Sequence, residues 1–208
     1  MSRIRLVTLD VDGTLLPKDN CFAAIMRGEG RETEAQQILA SWQSGELQFS
    51  GAWNQLWALM QPLDCQTLHR HLRKVAKWLP DISLGVREMR NAGLHAHVLS
   101  DLPSTITDFL GRWGLIDSVA SPVVVREGAQ ISVTPKLDRL EGLEHLLQRY
   151  QIDESQVAHV GNGILDVPIW DRVGLTVGVD CPPAIATDFR QEADSLLAVA
   201  KSIVARQN

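Results

Sequence analysis

The sequence predicts an α/β protein, a doubly wound, Rossmann-like parallel sheet with a small helical domain inserted after the first strand. Three observations carry that prediction. Short apolar runs alternate with amphipathic helical segments from about residue 81 onward; the first apolar run, 3–9, ends in two acids; and the stretch between has helical but almost no strand character. Strands separated by helices of this length specify right-handed crossovers, and so a parallel sheet. The core domain is expected at residues 1–17 and 81–208 and the helical domain at 18–80. A chain of 208 residues suits one domain with such an insertion.

Taken in order, residues 3–9 are rich in β-branched and aliphatic side chains and read as a strand. The segment 18–80 is helical in pieces, with breaks near Gly28 and Gly30, at Ser44-Gly45, at Ser50-Gly51 and at Pro62. Within it Trp53, Leu56, Trp57 and Met60 recur at spacings of three and four, as do Leu68, Leu72, Val75 and Leu79, giving two amphipathic faces. The tryptophan stripe is expected to pack helix against helix, not to line a pocket. Beyond Pro80 the pattern predicts a helix at 83–92 stopped by Gly93, a strand at 94–99, and a helix at 103–113 ended by Gly114. A hairpin follows at 122–125 and 130–133 about Glu127-Gly128, then a helix at 137–150, a strand at 156–160, a short helix at 167–173 and a strand at Leu175–Val179.

Composition narrows the function. A hydrophobic share of 45% with 22% charged residues excludes a disordered chain. The formal net charge of -5 argues against a general nucleic-acid binder, whose surface would be basic. Cys21, Cys65 and Cys181 are odd in number and lack C-x-x-C spacing, so reduced thiols in a cytoplasmic protein are expected. The first apolar run is cut at Asp10, too early for a signal peptide, and no apolar stretch approaches the roughly 18 to 20 residues of a membrane helix. Nothing in the pattern specifies an oligomer.

The chemistry concentrates where strands end. Asp10 closes the first strand and Asp12 lies two residues on; in extended chain both face one side, near enough to share a cation. Gly13 permits a sharp turn or a close approach. The bland alternative is an acidic turn. Further along, Ser100-Asp101 follows the strand at 94–99, Lys136 precedes the long helix, and Gly161-Asn162-Gly163-Ile164-Leu165-Asp166 follows the strand at 156–160. Each has an ordinary explanation as cap, surface charge or turn. Together they set acids, a hydroxyl and a cation on one rim of a parallel sheet.

On these residues the chain resembles the haloacid dehalogenase superfamily, the aspartate-nucleophile phosphatases. Asp10-Val11-Asp12-Gly13-Thr14 is similar to the first motif, D-x-D-x-T; Ser100 to the second, a Ser or Thr ending a strand; and Gly161 to Asp166 to the fourth, G-D-x-x-x-D. Lys136 fits the cation of the third motif, with Arg139 as the alternative. The helical insertion and the later hairpin resemble the phosphoserine phosphatase branch, in which the insertion is a cap domain. The resemblance implies a Mg²⁺-dependent phosphomonoester hydrolase acting through an aspartyl phosphate on a small phosphorylated metabolite. It implies catalytic roles for Asp10, Asp12, Ser100 and Lys136, substrate contacts from these and Asp101, and a metal shell of Asp10, Asp12, Asn162 and Asp166. Asp12 would serve as general acid and base, and Thr14 would orient the Asp12 loop.

Two departures bear on this. Asn162 stands where the fourth motif has its metal-binding Asp, and an amide brings no charge to a metal. That feature favours the alternative, a weak or inactive relative that binds a phosphate ligand in a regulatory role. Ser100 is followed by Asp101 and Leu102 where the phosphoserine enzymes have two glycines, and Phe49–Met60 lacks the Arg expected for an amino-acid carboxylate. Asp19 lies where that branch has a Glu for the ammonium group. Phosphoserine is therefore not the expected substrate.

Overall fold

The computed structural model describes residues 3–61, 63–118, 123–127, 130–134, 138–192 and 194–207. The chain divides into two units, one of Met1–Pro17 with Trp78–Asn208 and one of Lys18–Lys77, the second boundary falling after Lys77 where 80 was expected.

The first unit contains strands β1 Leu6–Leu9, β2 His95–Val98, β3 Ile116–Ser118, β4 Val123–Glu127, β5 Gln130–Thr134, β6 Val157–Gly161, β7 Leu175–Val179 and β8 Phe189–Gln191. Six of them form one sheet in the order β3-β2-β1-β6-β7-β8, with every neighbouring pair parallel. The antiparallel ribbon of β4 and β5 is separate. From β1 the chain steps to β2 and β3 on one side and later to β6, β7 and β8 on the other, so the order reverses between β1 and β6. In open α/β sheets a ligand site lies at such a reversal, outside the carboxyl ends of the strands.

Helices α1 Cys21–Gly28, α2 Glu32–Gln43, α3 Phe49–Met60 and α4 Cys65–Lys74 make up the second unit; α5 Ile82–Asn91, α6 Ser104–Thr107, α7 Arg139–Tyr150, α8 Val167–Trp170 and α9 Leu196–Ala205 belong to the first. β1 and β6 are buried along their whole length, which explains their nearly unbroken apolar runs; Thr8 and His159 are the polar exceptions. Leu6, Leu99 and Val157 from the sheet pack with Leu143 and Leu146 of α7 and Ile169 of α8. Helix α7 starts sharply because Asp138 and Glu141 form a reciprocal capping box. Asp81, ahead of α5, accepts from the Ser195 hydroxyl at 2.6 Å and from Leu196 N–H at 2.9 Å, tying the start of α9 to α5. Among the described residues no helix is long and apolar enough to cross a membrane.

In the helical unit Asn20 caps α1, and Arg27 makes two 2.9 Å bonds to Asp19 and one of 2.8 Å to Glu32. Trp53 meets Phe22 edge-on and stacks on Trp57, so the tryptophan stripe packs helix against helix as expected.

Several expectations need correction. Ser50-Gly51 does not break the chain but lies in the first turn of α3. Near a helix start glycine carries little penalty, and the buried Leu56, Trp57 and Met60 hold the face. The second apolar stripe does not continue, since α4 ends at Lys74, Val75 is its cap, and Leu79 belongs to the other unit. The helix expected at 103–113 is one turn of α6 followed by 3₁₀ turns over Asp108–Trp113. Strands β3 and β8, three residues each, are too short to show a period. Helix α9 went unpredicted although Leu196, Val199, Ala200 and Ile203 bury a helical stripe.

Candidate active site

Three neighbouring strands deliver the site. β1 ends at Leu9, so Asp10 emerges at its carboxyl end, where its N–H still donates to Val160 O of β6 at 2.9 Å. The chain then coils tightly: the N–H groups of Thr14, Leu15 and Leu16 all point to Val11 O, and Gly13 N–H returns to Leu16 O. Gly13 adopts φ +81°, and a Cβ there would lie 1.9 Å from the Asn162 amide nitrogen. Only glycine lets the two motifs touch. Asp12 is half-buried on this turn. The Thr14 hydroxyl stands 3.5 Å from Asp10 Oδ2, while the same residue's N–H helps close the Asp12 loop on Val11 O.

From β2, Ser100 is buried and its Oγ accepts from Leu102 N–H at 3.3 Å. Asp101 follows half-buried, its carboxyl pushed above the usual range by burial and partly restored by Arg139.

From β6 the chain turns through Asn162 and Gly163 to Asp166, whose side chain is folded back beneath Gly161; a Cβ on Gly161 would lie 2.2 Å from the Asp166 carboxyl carbon. Asp166 Oδ2 accepts from the N–H groups of Asn162 at 2.9 Å and Gly163 at 3.0 Å. Its Oδ1 accepts from Arg139 at 2.7 Å and pairs with His159 Nε2 at 3.0 Å. Burial alone would raise this carboxyl, but the His159 hydrogen bond and the Arg139 charge bring it down to about 2. The four donors occupy all the lone-pair positions of a carboxylate. Asp166 is thus saturated by protein groups, which does not fit the metal ligation expected of it.

Arg139, first residue of α7, is 8% exposed. One guanidinium nitrogen donates to Asp10 Oδ1 at 3.0 Å, Leu99 O at 3.1 Å and Asp166 Oδ1, and the other to Leu165 O at 3.2 Å. Among the described residues the cation beside Asp10 is Arg139, the alternative of the sequence reading. Lys136, the first choice, lies outside the described residues.

The carboxylates of Asp10, Asp101 and Asp166 all lie within the field of the Arg139 guanidinium. Burial and the Asp166 charge hold the Asp10 carboxyl well above its usual range, against the pull of Arg139. No three His, Cys, Asp or Glu side chains among the described residues converge as a ready-made metal site. The Asp10 carboxylate, the Asp12 carbonyl and the Asn162 amide oxygen are nonetheless hard oxygen donors among several carboxylates, a set that suits a hard divalent cation. His159, fully buried with Nδ1 2.8 Å from Thr8 Oγ1, and Thr8 itself were not anticipated. The available signal was a polar residue inside each of two apolar strands.

Known proteins share this architecture. A phosphoserine phosphatase captured as an analogue of its phospho-aspartyl intermediate superposes with a TM-score of 0.79 at 20% identity, over 97% of this chain and 99% of that one. The fold is that of the haloacid dehalogenase hydrolases. A substrate-bound phosphoserine phosphatase also gives 0.79, at 19% identity and the same coverage. A hydrolase of the haloacid dehalogenase family from Salmonella enterica serovar Typhi gives 0.81 at 16%, covering 93% of this chain and 69% of that one. In sequence, a phosphoserine phosphatase of Mycobacterium tuberculosis is 25% identical over 199 residues, 93% of this chain and 47% of the relative. The chain thus spans about half the length of that curated relative. No family model matches it.

Proposed function

We propose that the protein is a Mg²⁺-dependent phosphomonoester hydrolase acting on a small phosphorylated metabolite in the cytoplasm. The observation that carries this reading is the placement of Asp10 at the β1/β6 reversal with Arg139 bonded to it, Ser100 on the next strand end and Asn162 packed on its loop. Asp10 attacks phosphorus, forming an aspartyl phosphate as the bond to the leaving oxygen breaks; a protonated Asp12 gives that oxygen its proton. Asp12 then takes a proton from water, whose oxygen attacks phosphorus and frees Asp10 and inorganic phosphate. General acid and base work of this kind is worth a factor of about 10² to 10⁴. Arg139 neutralises part of the negative charge, and the Ser100 hydroxyl, which accepts from Leu102 N–H, keeps its own proton to donate to a phosphoryl oxygen.

Mg²⁺, held by Asp10, the Asp12 carbonyl and Asn162, would supply the charge compensation that one arginine cannot. At about 4 Å and an effective dielectric near 20, each carboxylate–phosphate charge pair repels by roughly 4 kcal/mol. Asp166 takes no part in that shell in our reading; it positions Arg139. Phosphoserine is disfavoured as substrate, because α3 carries no Arg or Lys and Asp19 is committed to Arg27. The helical unit is assigned the selection of substrate.

Hydrolysis of a panel of sugar phosphates, nucleotides and phosphorylated alcohols with Mg²⁺ tests the reading, with Asp10→Asn as control. Turnover by wild type and none by the variant is expected; equal rates would refute the covalent route. A second reading, a phosphate-binding relative without turnover, is favoured by Asn162 alone. It predicts phosphate binding with no hydrolysis of any ester.

A further inference from the structure

We infer that His159, supported by Thr8, is a positioning residue: it locks Asp166 so that the Arg139 guanidinium is held against Asp10. Thr8 and His159 are register partners on β1 and β6, and both are completely buried. The Thr8 hydroxyl has two partners in reach, His159 Nδ1 at 2.8 Å and Ala158 O at 3.5 Å. Asp166 Oδ1, already bonded to Arg139, is a carboxylate oxygen that can only accept, which puts a ring proton on His159 Nε2 at 3.0 Å, while Nδ1 is held against Thr8. The ring cannot swing away, since it is enclosed in the sheet layer with Trp170 edge-on, and its own carbonyl accepts from Trp170 Nε1 at 3.1 Å.

The result is a continuous line of contacts, Thr8 to His159 to Asp166 to Arg139 to Asp10, running from the interior of two strands to the site. Asp166 Oδ1 is the hinge of the line. It is shared by a neutral donor fixed from behind and a charged donor in front. Removing the rear donor leaves that oxygen to Arg139 alone and lets the carboxylate rotate toward the guanidinium, drawing it off Asp10 Oδ1. An ordinary core histidine would satisfy itself on backbone groups and leave a catalytic side chain untouched. This one turns Nε2 to a carboxylate that leads to the site.

The consequence for turnover rests on the phosphatase reading; the geometry does not. Two measurements keep them apart. The first is the set of slowly exchanging guanidinium N–H resonances of Arg139, identified by their loss in Arg139→Lys. In His159→Leu these signals should broaden or move to the position of a solvated arginine while the backbone amide spectrum keeps its dispersion, and His159→Gln, which restores an amide donor, should recover them. Unchanged Arg139 signals in folded His159→Leu would overturn the inference. If His159→Leu does not fold, Thr8→Val provides the same readout, with a smaller displacement expected and an unchanged spectrum again overturning it. The second measurement is kcat on an aryl phosphate, expected to fall roughly 10- to 100-fold in His159→Leu, as for other residues that orient a reactive group from behind, with partial recovery in His159→Gln. Displaced Arg139 signals together with a wild type that hydrolyses nothing would uphold the positioning role and remove the hydrolase reading.

Discussion

Asp10 and Asp166 are two buried carboxylates pushed in opposite directions. Asp166 ionises at about 2 in the folded protein, against roughly 3.9 for an unfolded aspartate. Its charge therefore stabilises the fold fully above about pH 4 and ceases to do so as pH falls through 2, an effect on the order of 2 kcal/mol. Urea unfolding of wild type and Asp166→Asn without metal should show a stability gap at pH 6 that narrows steadily between pH 4 and 2. A constant gap would mean that the pairing with Arg139 and His159 contributes nothing. Asp10, raised above its usual range, works the other way: its ionised form opposes folding. Asp10→Asn should abolish turnover and also raise the melting temperature of the metal-free protein by a few degrees, since roughly 1 kcal/mol moves a domain of this size by about 2 to 4 °C. Loss of both activity and stability would show that the ion pair with Arg139 outweighs the burial. Asp12→Asn should slow esters with poor leaving groups far more than p-nitrophenyl phosphate, whose leaving oxygen scarcely needs a proton. Equal loss on both would take the general acid role from Asp12.

The loop after β6 is where this chain departs from the pattern it otherwise follows. Asn162→Asp adds a negative charge beside Asp10 and should tighten Mg²⁺ binding in a calorimetric titration. Tighter binding by wild type would exclude Asn162 from the metal shell. Gly13→Ala tests the same loop from its partner: φ +81° strains any side chain, and a methyl group there would have to push the Asn162 amide, 1.9 Å away, aside. A loss of about 1 kcal/mol or more in stability is expected, measured by urea unfolding together with Mg²⁺ affinity. At this scale the sequence was legible where a pattern is long or chemically loud. β1, β2, β6 and β7 end where polar residues interrupt apolar runs, and Asp10, Ser100 and the Asn162 loop were read from those interruptions. β3 and β8 escaped because three residues cannot display a period. His159 and Thr8 escaped for another reason: their significance lies in a cross-strand register that only pairing reveals. Spacing likewise does not encode that Arg139, at a helix start, reaches Asp10.

The sheet unit ties the two ends of the insertion together, because Leu79 N–H, two residues after Lys77, donates at 3.1 Å to the carbonyl of Leu15, three residues before Lys18. The sheet unit therefore holds the ends of the gap together on its own. A linker of a few residues can replace Lys18–Lys77 without stretching β1 or the approach to α5. The helical unit has its own supports, the Arg27 clamp on Asp19 and Glu32 and the packing of Trp53 against Phe22 and Trp57, so neither unit borrows these contacts from the other. If the helical unit selects substrate, as we propose, its removal should leave a folded sheet unit that still hydrolyses p-nitrophenyl phosphate but has lost discrimination among larger esters. Circular dichroism and amide dispersion establish that the shortened protein is folded before rates are compared. The ratio of kcat/KM between the best metabolite and p-nitrophenyl phosphate should then collapse toward one. A folded variant that keeps the wild-type ratio would place selectivity in the sheet unit, with Asp101 and the exposed Ile164 as the side chains to change next.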